Sequence, residues 1–335
     1  MTSDDDIDYN FLISSDDDMD ENNAPSDTNT APSSYLAVDQ INKFFNLQDQ
    51  SALNVLHVNC RSLKKNFGPL NDLLRFLSSP IAAIAVTETW LSDTLADIFN
   101  IQGYRFFSMS RIGKTGGGVG LYVNNIFDCK LLSDLTRTSE YLECIFVEAR
   151  SPGRLPVIIG SVYRPPNTDI SLFNTELLSI LNSIEQGKKF SAAFIAGDFN
   201  LNLLNANNHA ATNDFVNNML SFNFVATISR PTRIANNSAT LLDNIFVNCG
   251  KYDYTSAIVY ADISDHLPVA VHLKFNLKRK NQDLSQKRFF DASSIANFNN
   301  QLANTCWFEV YAAASANADP SIAYDKFFEY LCKHI

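Results

Sequence analysis

The stretch that decides the predicted fold is Phe194-Ile195-Ala196-Gly197-Asp198-Phe199-Asn200, because it joins a buried strand to two polar side chains. The apolar residues Ala193 to Ala196 predict a strand, and Asp198 and Asn200 follow it directly. In open α/β sheets, functional groups lie at the carboxyl ends of such strands. A lone Gly-Asp pair also fits a turn in which the Asp side chain caps the backbone. The stretch therefore predicts a site at a sheet edge, with an ordinary turn as the alternative.

A second polar cluster, Ser264-Asp265-His266, favours the first interpretation. It follows the apolar residues Ala257 to Val259 and precedes Val269 to Phe275, so it also lies between two predicted strands. Polar clusters at strand ends can converge on one edge of a sheet. Together the two clusters indicate a functional site rather than two unrelated turns.

The acidic residues are unevenly distributed along the chain. It has 335 residues and a net charge of −10, with 36 acidic and 26 basic residues. Ten of the acidic residues lie within residues 1–34, which contain no Lys or Arg, so the remainder carries 26 acidic and 26 basic residues. Residues 1–34 are rich in Asp, Ser and Asn, and we predict a disordered acidic tail. The neutral remainder neither favours nor excludes binding to nucleic acid.

Cysteine usage and hydropathy restrict the class of protein. The six cysteines are scattered without a C-x-x-C pair, which favours reduced intracellular thiols over a disulfide framework or a zinc site. No apolar run reaches the length of a membrane span, and the acidic N-terminal segment is unlike a signal or transit peptide. We therefore expect an intracellular protein without a membrane partner.

Apolar patterns after the tail predict a sheet-rich α/β domain. Further strands are predicted at Leu53 to Val58, Ile81 to Val86, Glu143 to Ala149, Val157 to Val162, Phe224 to Ile228 and Ile245 to Val247. Helices are predicted over 63–77, with a break at Gly68-Pro69, over 172–184 and over 215–220. Several strands are apolar on both faces, which is typical of two packed sheets with helices outside. In the polar region from 278 onwards we predict two short helices, capped by Asp291 and Asp319.

Polar side chains recur where the predicted strands end or begin. They are Asn59, Glu88, Tyr163, Asp198, Asn200, Asp243, Asp265 and His266. A glutamate at the end of an apolar strand, such as Glu88, is costly unless it is solvated or bound to a partner. From the residues alone, a core aromatic (Tyr163), a cap (Asp243) and an Asx turn (Asn59) stay open as alternatives. The remaining strand histidines, His57 and His272, are interpreted as structural.

Seven short motifs occur in the order found in a known family. They are His57-Val58-Asn59-Cys60-Arg61-Ser62-Leu63, Val86-Thr87-Glu88-Thr89-Trp90-Leu91, Val162-Tyr163-Arg164-Pro165-Pro166, Gly197-Asp198-Phe199-Asn200, Arg230-Pro231-Thr232-Arg233, Thr240-Leu241-Leu242-Asp243 and Ser264-Asp265-His266. With them, about residues 53–275 resemble the endonuclease/exonuclease/phosphatase superfamily. More narrowly, they resemble the N-terminal endonuclease of LINE-type, non-long-terminal-repeat (non-LTR) retrotransposons.

The resemblance implies a domain organisation. Residues 35–277 are expected to form an α/β fold, a four-layer αββα sandwich of two mixed β-sheets. The disordered acidic tail, residues 1–34, would precede it, and a short helical, linker-like extension, residues 278–335, would follow. No aromatic-x-Asp-Asp element of a reverse transcriptase occurs after the endonuclease region, so we expect a fragment or a stand-alone remnant.

The resemblance also implies a bound metal. Glu88 would be the principal ligand of Mg²⁺, for which Mn²⁺ can substitute, with Asn59 beside it. Asp265 would contribute to the same site. Mg²⁺ prefers hard oxygen ligands and keeps several waters, so one carboxylate and one amide suffice.

Catalytic roles follow from the resemblance for the other polar residues. Asp198 would orient or deprotonate the attacking water, while Asn200 would hold a phosphate oxygen. His266, oriented by Asp243, would donate to the phosphoryl oxygen, and Tyr163 would steady the leaving group or the phosphate. These roles supply the charge stabilisation and positioned water that phosphodiester hydrolysis needs.

Substrate contacts are expected in the loops around the site. By resemblance, Thr232 and Ser264 lie near the substrate backbone. Basic residues beside strand ends would form a track for a phosphate backbone, and they are Arg111, Lys114, Arg164, Arg230 and Arg233.

The implied activity is that of a metal-dependent phosphodiesterase, a DNA endonuclease that nicks one strand of a target duplex and leaves a 3′ hydroxyl to prime reverse transcription. Acting on genomic DNA would place the protein in the nucleus. Two alternatives stay open, namely a phosphatase of the same superfamily acting on a phosphoinositide, lipid or nucleotide, and a catalytically silent retroelement remnant. The sequence identifies no protein partner.

Overall fold

The structure, a computed structural model, describes residues 33–45, 52–78, 80–92, 98–111, 116–187, 189–235, 237–250, 252–274, 292–316 and 320–334. All of them belong to one unit, Pro32–Ile335. Most of the predicted acidic tail, together with Lys114, Phe275, Asp291 and Asp319, lies outside the described residues.

Within the described ranges the chain forms sixteen strands and seven α-helices. The strands are β1 (Ser34–Ala37), β2 (Leu53–Asn59), β3 (Ala83–Thr87), β4 (Tyr104–Met109), β5 (Val119–Asn124), β6 (Asp128–Leu131), β7 (Arg137–Thr138), β8 (Glu143–Arg150), β9 (Val157–Tyr163), β10 (Ala192–Asp198), β11 (Val225–Ala226), β12 (Arg233–Ala235), β13 (Ser238–Thr240), β14 (Asp243–Asn248), β15 (Tyr254–Tyr260) and β16 (Val269–Leu273). The helices are α1 (Ile41–Phe44), α2 (Leu63–Phe76), α3 (Ile170–Gln186), α4 (Ala210–Ser221), α5 (Ala292–Asn304), α6 (Phe308–Ala316) and α7 (Pro320–His334).

Two large mixed sheets form the centre of the fold. The first has the strand order β1-β15-β16-β2-β3-β5-β4, and the second has the order β11-β14-β10-β9-β8-β6, with β7 paired to β8. Parallel pairs (β1 with β15, β2 with β3, β9 with β10) occur among antiparallel ones in both sheets. The strands β12 and β13 form a separate hairpin. The stretch that opened the sequence analysis is β10, which lies inside the second sheet.

Three apolar clusters separate four layers. The cluster between the sheets includes Val55, Leu121, Val271, Ile159, Phe194 and Ile245. Helices α1 and α2 cover the outer face of the first sheet in a cluster that includes Ile41, Leu63, Leu70, Leu56 and Ile84. Helices α3 and α4 cover the second sheet through Phe173, Leu177, Phe215, Met219, Ala193 and Ile195. Successive residues of a central strand therefore enter different cores, which explains the continuous apolar runs and confirms the expected αββα sandwich.

Helix α2 runs without interruption through Gly68 and Pro69, so the expected break is wrong. A proline disfavours helical backbone at the preceding residue because its ring clashes with that residue's N–H and Cβ. Gly68 has no Cβ, which removes one of these clashes. Ser62 caps the helix by accepting a hydrogen bond from the Lys65 N–H at 3.3 Å, and Leu70 anchors the buried face. The cap and the buried face offset the cost of one internal proline.

Two predicted elements around the second sheet differ in length. Helix α4 starts at Ala210, five residues before the predicted start at Phe215. Strand β11 contains only Val225–Ala226, although a longer strand was predicted. The strand ends there because the next two N–H groups donate to the side-chain Oδ1 of Asn244, Thr227 at 3.0 Å and Ile228 at 3.1 Å. These bonds replace the backbone hydrogen bonds of a regular strand pair.

The two ends of the described chain also differ from expectation. Ser33 and Ser34, assigned to the tail, take part in the fold, since the Ser33 hydroxyl donates to the Thr227 carbonyl at 3.0 Å and β1 pairs with β15. Three C-terminal helices are present instead of two. Helix α6 was missed because its sequence lacks the alternation of apolar and polar faces on which the prediction relied. Among the described residues, no helix has the length and apolar character needed to cross a membrane.

Candidate active site

One row of ionisable side chains crosses the second sheet at the edge where β9 and β10 end. Glu143 of β8 pairs with Tyr163 of β9, which pairs with Asp198 of β10. Asp198 pairs in turn with Asp243 of β14. Paired residues of neighbouring strands point to the same face of a sheet, and Tyr163 lies in the cluster between the two sheets. All four side chains are buried, so the row faces the first sheet from inside the sandwich.

The first sheet meets this row through Asn59, the last residue of β2. The Asn59 side-chain amide donates to Glu88 Oε1 at 3.1 Å and to Asp198 Oδ2 at 2.8 Å, which joins the ends of both sheets. Its Oδ1 accepts the Arg61 N–H at 3.1 Å. The amide nitrogen therefore faces the carboxylates. The predicted role of Asn59 as an oxygen ligand requires this amide to rotate and to release Arg61.

Left-handed backbone conformations concentrate at this edge. Of the seven described non-glycine residues with positive φ, five lie here, namely Arg61 at 39°, Ser62 at 90°, Glu88 at 50°, Trp90 at 52° and Asn200 at 48°. Such conformations cost on the order of 1–3 kcal/mol each and persist when the surroundings hold them. Here the Ser62 N–H donates to the Glu88 carbonyl at 2.8 Å, and the Trp90 N–H donates to the Gly117 carbonyl at 2.9 Å. Three neighbouring loops thus hold one another in place.

Asp243 is the centre of a buried hydrogen-bond network. Its Oδ2 lies 2.8 Å from His266 Nδ1 and accepts the Thr232 hydroxyl at 2.7 Å. Its Oδ1 lies 3.1 Å from His57 Nε2. The structure thus places His266 against Asp243, the residue expected to orient it. It also adds His57, which the sequence suggested was only structural.

The electrostatic environment separates the protonation states of three neighbouring groups. Burial, together with the Asp243 carboxylate, raises the pKa of Asp198 to about 7. Burial also opposes ionisation of Asp243, but the charge and hydrogen bond of His266, with the hydrogen bond of His57, hold the pKa of that carboxyl below its usual range. For His266, burial disfavours the imidazolium, yet Asp243 raises the pKa of His266 to about 9. Near neutral pH, Asp243 is ionised, His266 is protonated and Asp198 can exchange a proton.

Asp265 lies on the outer side of the site and is held by two guanidinium groups. Its Oδ1 is 3.1 Å from Arg61 Nη1, and its Oδ2 is 2.8 Å from Arg233 Nη2. Burial opposes its ionisation, but His266 and these two arginines hold the pKa of Asp265 below its usual range. Because both oxygens are engaged by arginines, the predicted contribution of Asp265 to the metal site would require at least one of these ion pairs to open.

Asn200 and Arg164 hold each other rather than presenting two free side chains. The Asn200 amide donates to the Arg164 carbonyl at 2.8 Å, and Arg164 Nη1 donates to the Asn200 carbonyl at 3.1 Å. Arg164 Nη2 also donates to the Thr168 carbonyl. Arg164 is only 4% exposed, so its expected contact with substrate, which stays a prediction, would require these internal hydrogen bonds to open. In the structure, Arg164 fixes the loop that carries Asn200 next to Asp198.

Thr232 and Ser264 also act inside the protein. Thr232 is fully buried, and its hydroxyl donates to Asp243. The Ser264 hydroxyl donates to the Asn59 carbonyl at 2.6 Å and accepts the His266 N–H at 3.2 Å. Both hydroxyls therefore make internal contacts, which position Asp243 and the loop of His266, and their expected substrate contacts stay predictions.

The expected basic track is only partly present. Arg111 forms an ion pair with the buried Glu143, and its guanidinium lies over the Tyr163 ring at 5.7 Å, so it is committed to the protein. Lys114 is outside the described residues. The exposed members are Arg233, which pairs with Asp265, and Arg230, whose guanidinium lies 5.8 Å from the ring centre of Tyr35. The remaining track consists of these two side chains.

Glu143 has a positioning role that the sequence did not suggest. Besides the ion pair with Arg111, it accepts the Gly118 N–H at 2.5 Å, which ties the glycine loop, Gly116-Gly117-Gly118, to the row on the second sheet. Next to it, burial and the negative charge of Glu88 raise the pKa of Tyr163, so this phenol stays protonated and can donate a hydrogen bond. The sequence signal for Glu143 and His57 is the same: each is a polar residue in an otherwise apolar strand.

The donor groups fit a divalent cation with oxygen ligands. Glu88 and Asp198 present carboxylates on either side of the Asn59 amide. Asp198, Asp243 and His266 form a buried cluster whose ligand atoms lie within 4.8 Å of one another. Hard carboxylate oxygens suit Mg²⁺ or Mn²⁺, and Mg²⁺ keeps several waters. Glu88 is only partly buried, so it is the carboxylate that a hydrated ion reaches most easily.

No family model matches the chain, and no curated protein matches it. Solved structures do match. The endonuclease domain of TRAS1, a telomere-specific non-LTR retrotransposon, has 15% identity and a TM-score of 0.52, and the match covers 68% of this chain and 100% of that one. The AP endonuclease LMAP from Leishmania major has 16% identity and a TM-score of 0.53, with 66% and 87% covered.

A third match is the 3′ phosphatase NExo from Neisseria, solved with a product DNA hairpin. It has 14% identity and a TM-score of 0.52, and the match covers 67% of this chain and 100% of that one. Identities this low establish similarity of fold. The αββα sandwich and these matches together show that the chain has the fold of the endonuclease/exonuclease/phosphatase superfamily.

Proposed function

We propose that the protein is a metal-dependent phosphodiesterase, and more specifically a DNA endonuclease that nicks one strand of a duplex. The observation that carries the proposal is the hydrogen-bonded series Glu88–Asn59–Asp198 beside the Asp243–His266 pair. It brings a cation ligand, a carboxylate that can activate water and a protonated imidazole to one sheet edge. Phosphodiester hydrolysis needs these three elements together.

Asp198 is the group that activates the attacking water. A general base works best when its pKa lies near the working pH, and burial raises the pKa of Asp198 to about 7. Its orientation is fixed from two sides, because Oδ1 accepts the Asn200 N–H at 3.0 Å and Oδ2 accepts the Asn59 amide. Asp198 therefore combines a suitable affinity for protons with a defined position.

His266 stabilises negative charge on the phosphoryl group. Because Asp243 keeps it protonated near neutral pH, the imidazolium can donate a hydrogen bond to a phosphoryl oxygen. Asp243 holds the ring through Nδ1, which leaves Nε2 to act as that donor. Thr232 and His57 in turn hold Asp243 through its two oxygens.

Glu88 is the residue assigned to hold the cation. When bound, Mg²⁺ or Mn²⁺ would neutralise the charge of the phosphate and act as a Lewis acid. Glu88 would bind it from the partly exposed side of the site, with Asn59 as neighbour. Tyr163, which stays protonated, would orient the phosphate from the second sheet. The amide of Asn200 would do so only after releasing the Arg164 carbonyl.

DNA is proposed as the substrate on two grounds. Two of the matched structures with TM-scores above 0.5 are a retrotransposon endonuclease domain and an AP endonuclease, and a third, the 3′ phosphatase NExo, is bound to a product DNA hairpin. In addition, the exposed Arg230 and Arg233 lie on either side of Thr232, which contacts Asp243. Cations at such a rim attract a phosphate backbone. Action on genomic DNA implies a nuclear location.

A plasmid-nicking assay tests the proposal. Supercoiled plasmid should convert to the open-circular form with Mg²⁺ or Mn²⁺ present, and EDTA should stop the conversion. An inositol phosphate and a lipid phosphate serve as comparison substrates under identical conditions. Rapid release of phosphate from either of them, with the plasmid left intact, would replace the endonuclease by the phosphatase alternative. Absence of turnover on every substrate would favour the silent remnant.

A further inference from the structure

Trp90 is a large aromatic side chain at the rim of the candidate site. The proposed chemistry assigns it no role. It follows Glu88 by two residues and is 47% exposed. The other tryptophan of the chain, Trp307, lies near the C-terminal helices and contacts the Phe327 ring at 5.4 Å. An exposed tryptophan beside a polar site is more informative than an isolated exposed leucine, because its hydration is costly and its ring binds flat partners well.

The position of Trp90 is strongly constrained. Its φ of 52° is unusual for a bulky residue. Two backbone hydrogen bonds to the glycine loop hold this segment, from the Trp90 N–H to the Gly117 carbonyl at 2.9 Å and from the Thr89 N–H to the Gly118 carbonyl at 3.2 Å. The fold therefore maintains an unfavourable conformation that keeps the ring at the surface. Backbone strain of this kind is typical of functional segments.

The polar edge of the indole is directed into the site. Trp90 Nε1 donates to Glu88 Oε2 at 3.2 Å, and Glu88 Oε1 accepts from Asn59, which reaches Asp198. Three hydrogen bonds thus connect the indole to the candidate general base. Because the N–H is the only polar group of the indole, the exposed part of the side chain is aromatic carbon.

We infer that Trp90 is a stacking platform for a nucleobase of the substrate strand, next to the phosphate that is cleaved. This inference rests on the proposed function and refines its substrate class. Aromatic side chains beside a nucleic-acid channel bind bases face to face with little dependence on sequence. A nucleotide whose phosphate occupies the Asp198–His266 edge carries a base into the region of this ring. Inositol phosphates offer no aromatic face to it.

The surroundings favour a base over a lipid surface. An exposed tryptophan can also lie at a membrane interface. However, Trp90 Nε1 and Arg111 Nη1 both lie within 4 Å of the position that a Cβ on Gly116 would occupy, and Glu88 is bonded to the indole. Burying these charged neighbours in lipid would be costly. A nucleic-acid strand leaves them in a polar environment.

Fluorescence of Trp90 gives a direct test. The chain has two tryptophans, so Trp307→Phe makes Trp90 the single emitter. In this full-length background, with Asp198→Asn to prevent cleavage and Mg²⁺ present, a labelled oligonucleotide is titrated while its anisotropy and the tryptophan emission are recorded. We expect emission to be quenched over the same concentration range in which anisotropy rises. Stacking brings a base into contact with the indole, whereas phosphate contacts alone do not.

The outcomes separate this inference from the proposed function. A rise in anisotropy without a change in Trp90 emission overturns the stacking platform and leaves the endonuclease in place. If neither signal changes and wild-type protein does not nick plasmid, both fail together. A blue-shifted emission with phosphoinositide-containing vesicles, but not with the oligonucleotide, replaces the base by a membrane surface.

Two substitutions distinguish stacking from an effect on Glu88. Trp90→Phe keeps a ring but loses the N–H, and Trp90→Leu loses both. We expect Trp90→Phe to lower kcat/KM by a similar factor on plasmid and on a small activated phosphodiester. Trp90→Leu should lose a further factor of about 5 to 150 on DNA alone, as expected for one stacked base. Phe76→Leu, at an equally exposed site on α2, is the matched control and should change neither. Equal losses of Trp90→Leu on both substrates would reduce Trp90 to a positioning residue for Glu88.

Discussion

The two sheets contribute to the candidate site in different ways. The second sheet supplies Tyr163, Asp198 and Asp243 from regular strand positions in one register, all of them buried. The first sheet supplies Glu88 and Trp90 from a loop just beyond β3, with positive φ and partial exposure. Asp198, which exchanges a proton, and Asp243, which holds His266, thus lie on rigid strands, where burial and charged neighbours shift the pKa of each carboxyl. Glu88 and Trp90, which are assigned to the cation and the substrate, lie on a loop held under strain, as is common for binding residues in enzymes.

The largest expected effect on the nicking rate comes from a residue on a strand of the second sheet. Asp198→Asn keeps the shape of the residue but removes its affinity for a proton, and the nicking rate should fall on the order of 10²-fold or more. The rate is measured by conversion of supercoiled plasmid at saturating Mg²⁺. Asp128→Asn, at an exposed position on β6 of the same sheet, should retain the wild-type rate. Nicking by Asp198→Asn at the wild-type rate would remove the proposed role of this strand.

Among the residues on the loop beyond β3, the largest effect is expected for Glu88→Gln, and it concerns the Mg²⁺ requirement. Because Glu88 is assigned to hold the cation, the Mg²⁺ concentration for half-maximal activity should rise on the order of 10- to 100-fold, with partial recovery at high Mg²⁺. The measurement is a metal titration of the nicking rate. Glu148→Gln, which breaks an ion pair with Arg150 on β8, should leave the titration unchanged. An unchanged midpoint for Glu88→Gln would contradict the assignment.

Substitution of His57 tests whether a strand of the first sheet also helps to position the catalytic groups of the second sheet. His57→Phe removes the donor to Asp243 Oδ1, so Asp243 should orient His266 less well and kcat should fall about tenfold. His272→Phe is the matched control, because His272 is also a buried strand histidine but pairs with Asn54 at 2.8 Å. Losing a buried hydrogen bond costs about 1–3 kcal/mol of folding free energy. Both variants should therefore have a lower melting temperature than the wild type. Only His57→Phe should also have a lower kcat. Equal activities of the two would make His57 structural, as the sequence suggested.

The buried groups also predict a pH dependence of stability for the metal-free protein. Asp243 raises the pKa of His266 from 6.5 to about 9, so between these pH values the folded chain keeps a proton that the unfolded chain releases. The contribution of His266 to the free energy of unfolding is therefore lost as the pH rises from 6.5 through 9. Burial raises the pKa of Asp198 from 3.8 to about 7, so the free energy of unfolding also falls as the pH rises from 3.8 to 7. In EDTA, the melting temperature should fall by several degrees between pH 6 and pH 9, at about 2–4 °C for each kcal/mol. His266→Asn should flatten this fall above pH 7, and an unchanged slope would contradict the paired imidazolium.

The smallest effect is expected at the rim. Arg230 is exposed and its guanidinium lies over the ring of Tyr35, whereas Arg233 is already paired with Asp265. Arg230→Ala should therefore lower the slope of log binding constant against log salt by about one, and Arg233→Ala by less. Anisotropy of a labelled duplex at several salt concentrations measures both. Arg75→Ala on the outer helix α2 is the control. Equal slopes for Arg230→Ala and wild type would place the DNA elsewhere.

Local patterns were sufficient for the layers and for the composition of the site. The apolar run of β10 and the helical spacing of α3 depend on neighbours within a few residues, so they can be recognised before the chain is folded. The same holds for Asp198, which ends a strand in the stretch Gly197-Asp198-Phe199-Asn200. Such local signals predicted two packed sheets with helices outside, and the family resemblance narrowed this to the αββα sandwich.

The partners of these residues were decided only by tertiary structure. His57 and Asp243 are 186 positions apart, and their contact depends on how the first sheet packs on the second. Arg164 and Thr232, which sequence motifs placed at the substrate, became buried because their polar atoms found carbonyl and carboxylate acceptors on other strands and loops. A linear pattern contains the kind of side chain and its position along a strand. It does not contain the register and packing that determine whether a guanidinium or a hydroxyl faces solvent, a substrate or a neighbouring carboxylate.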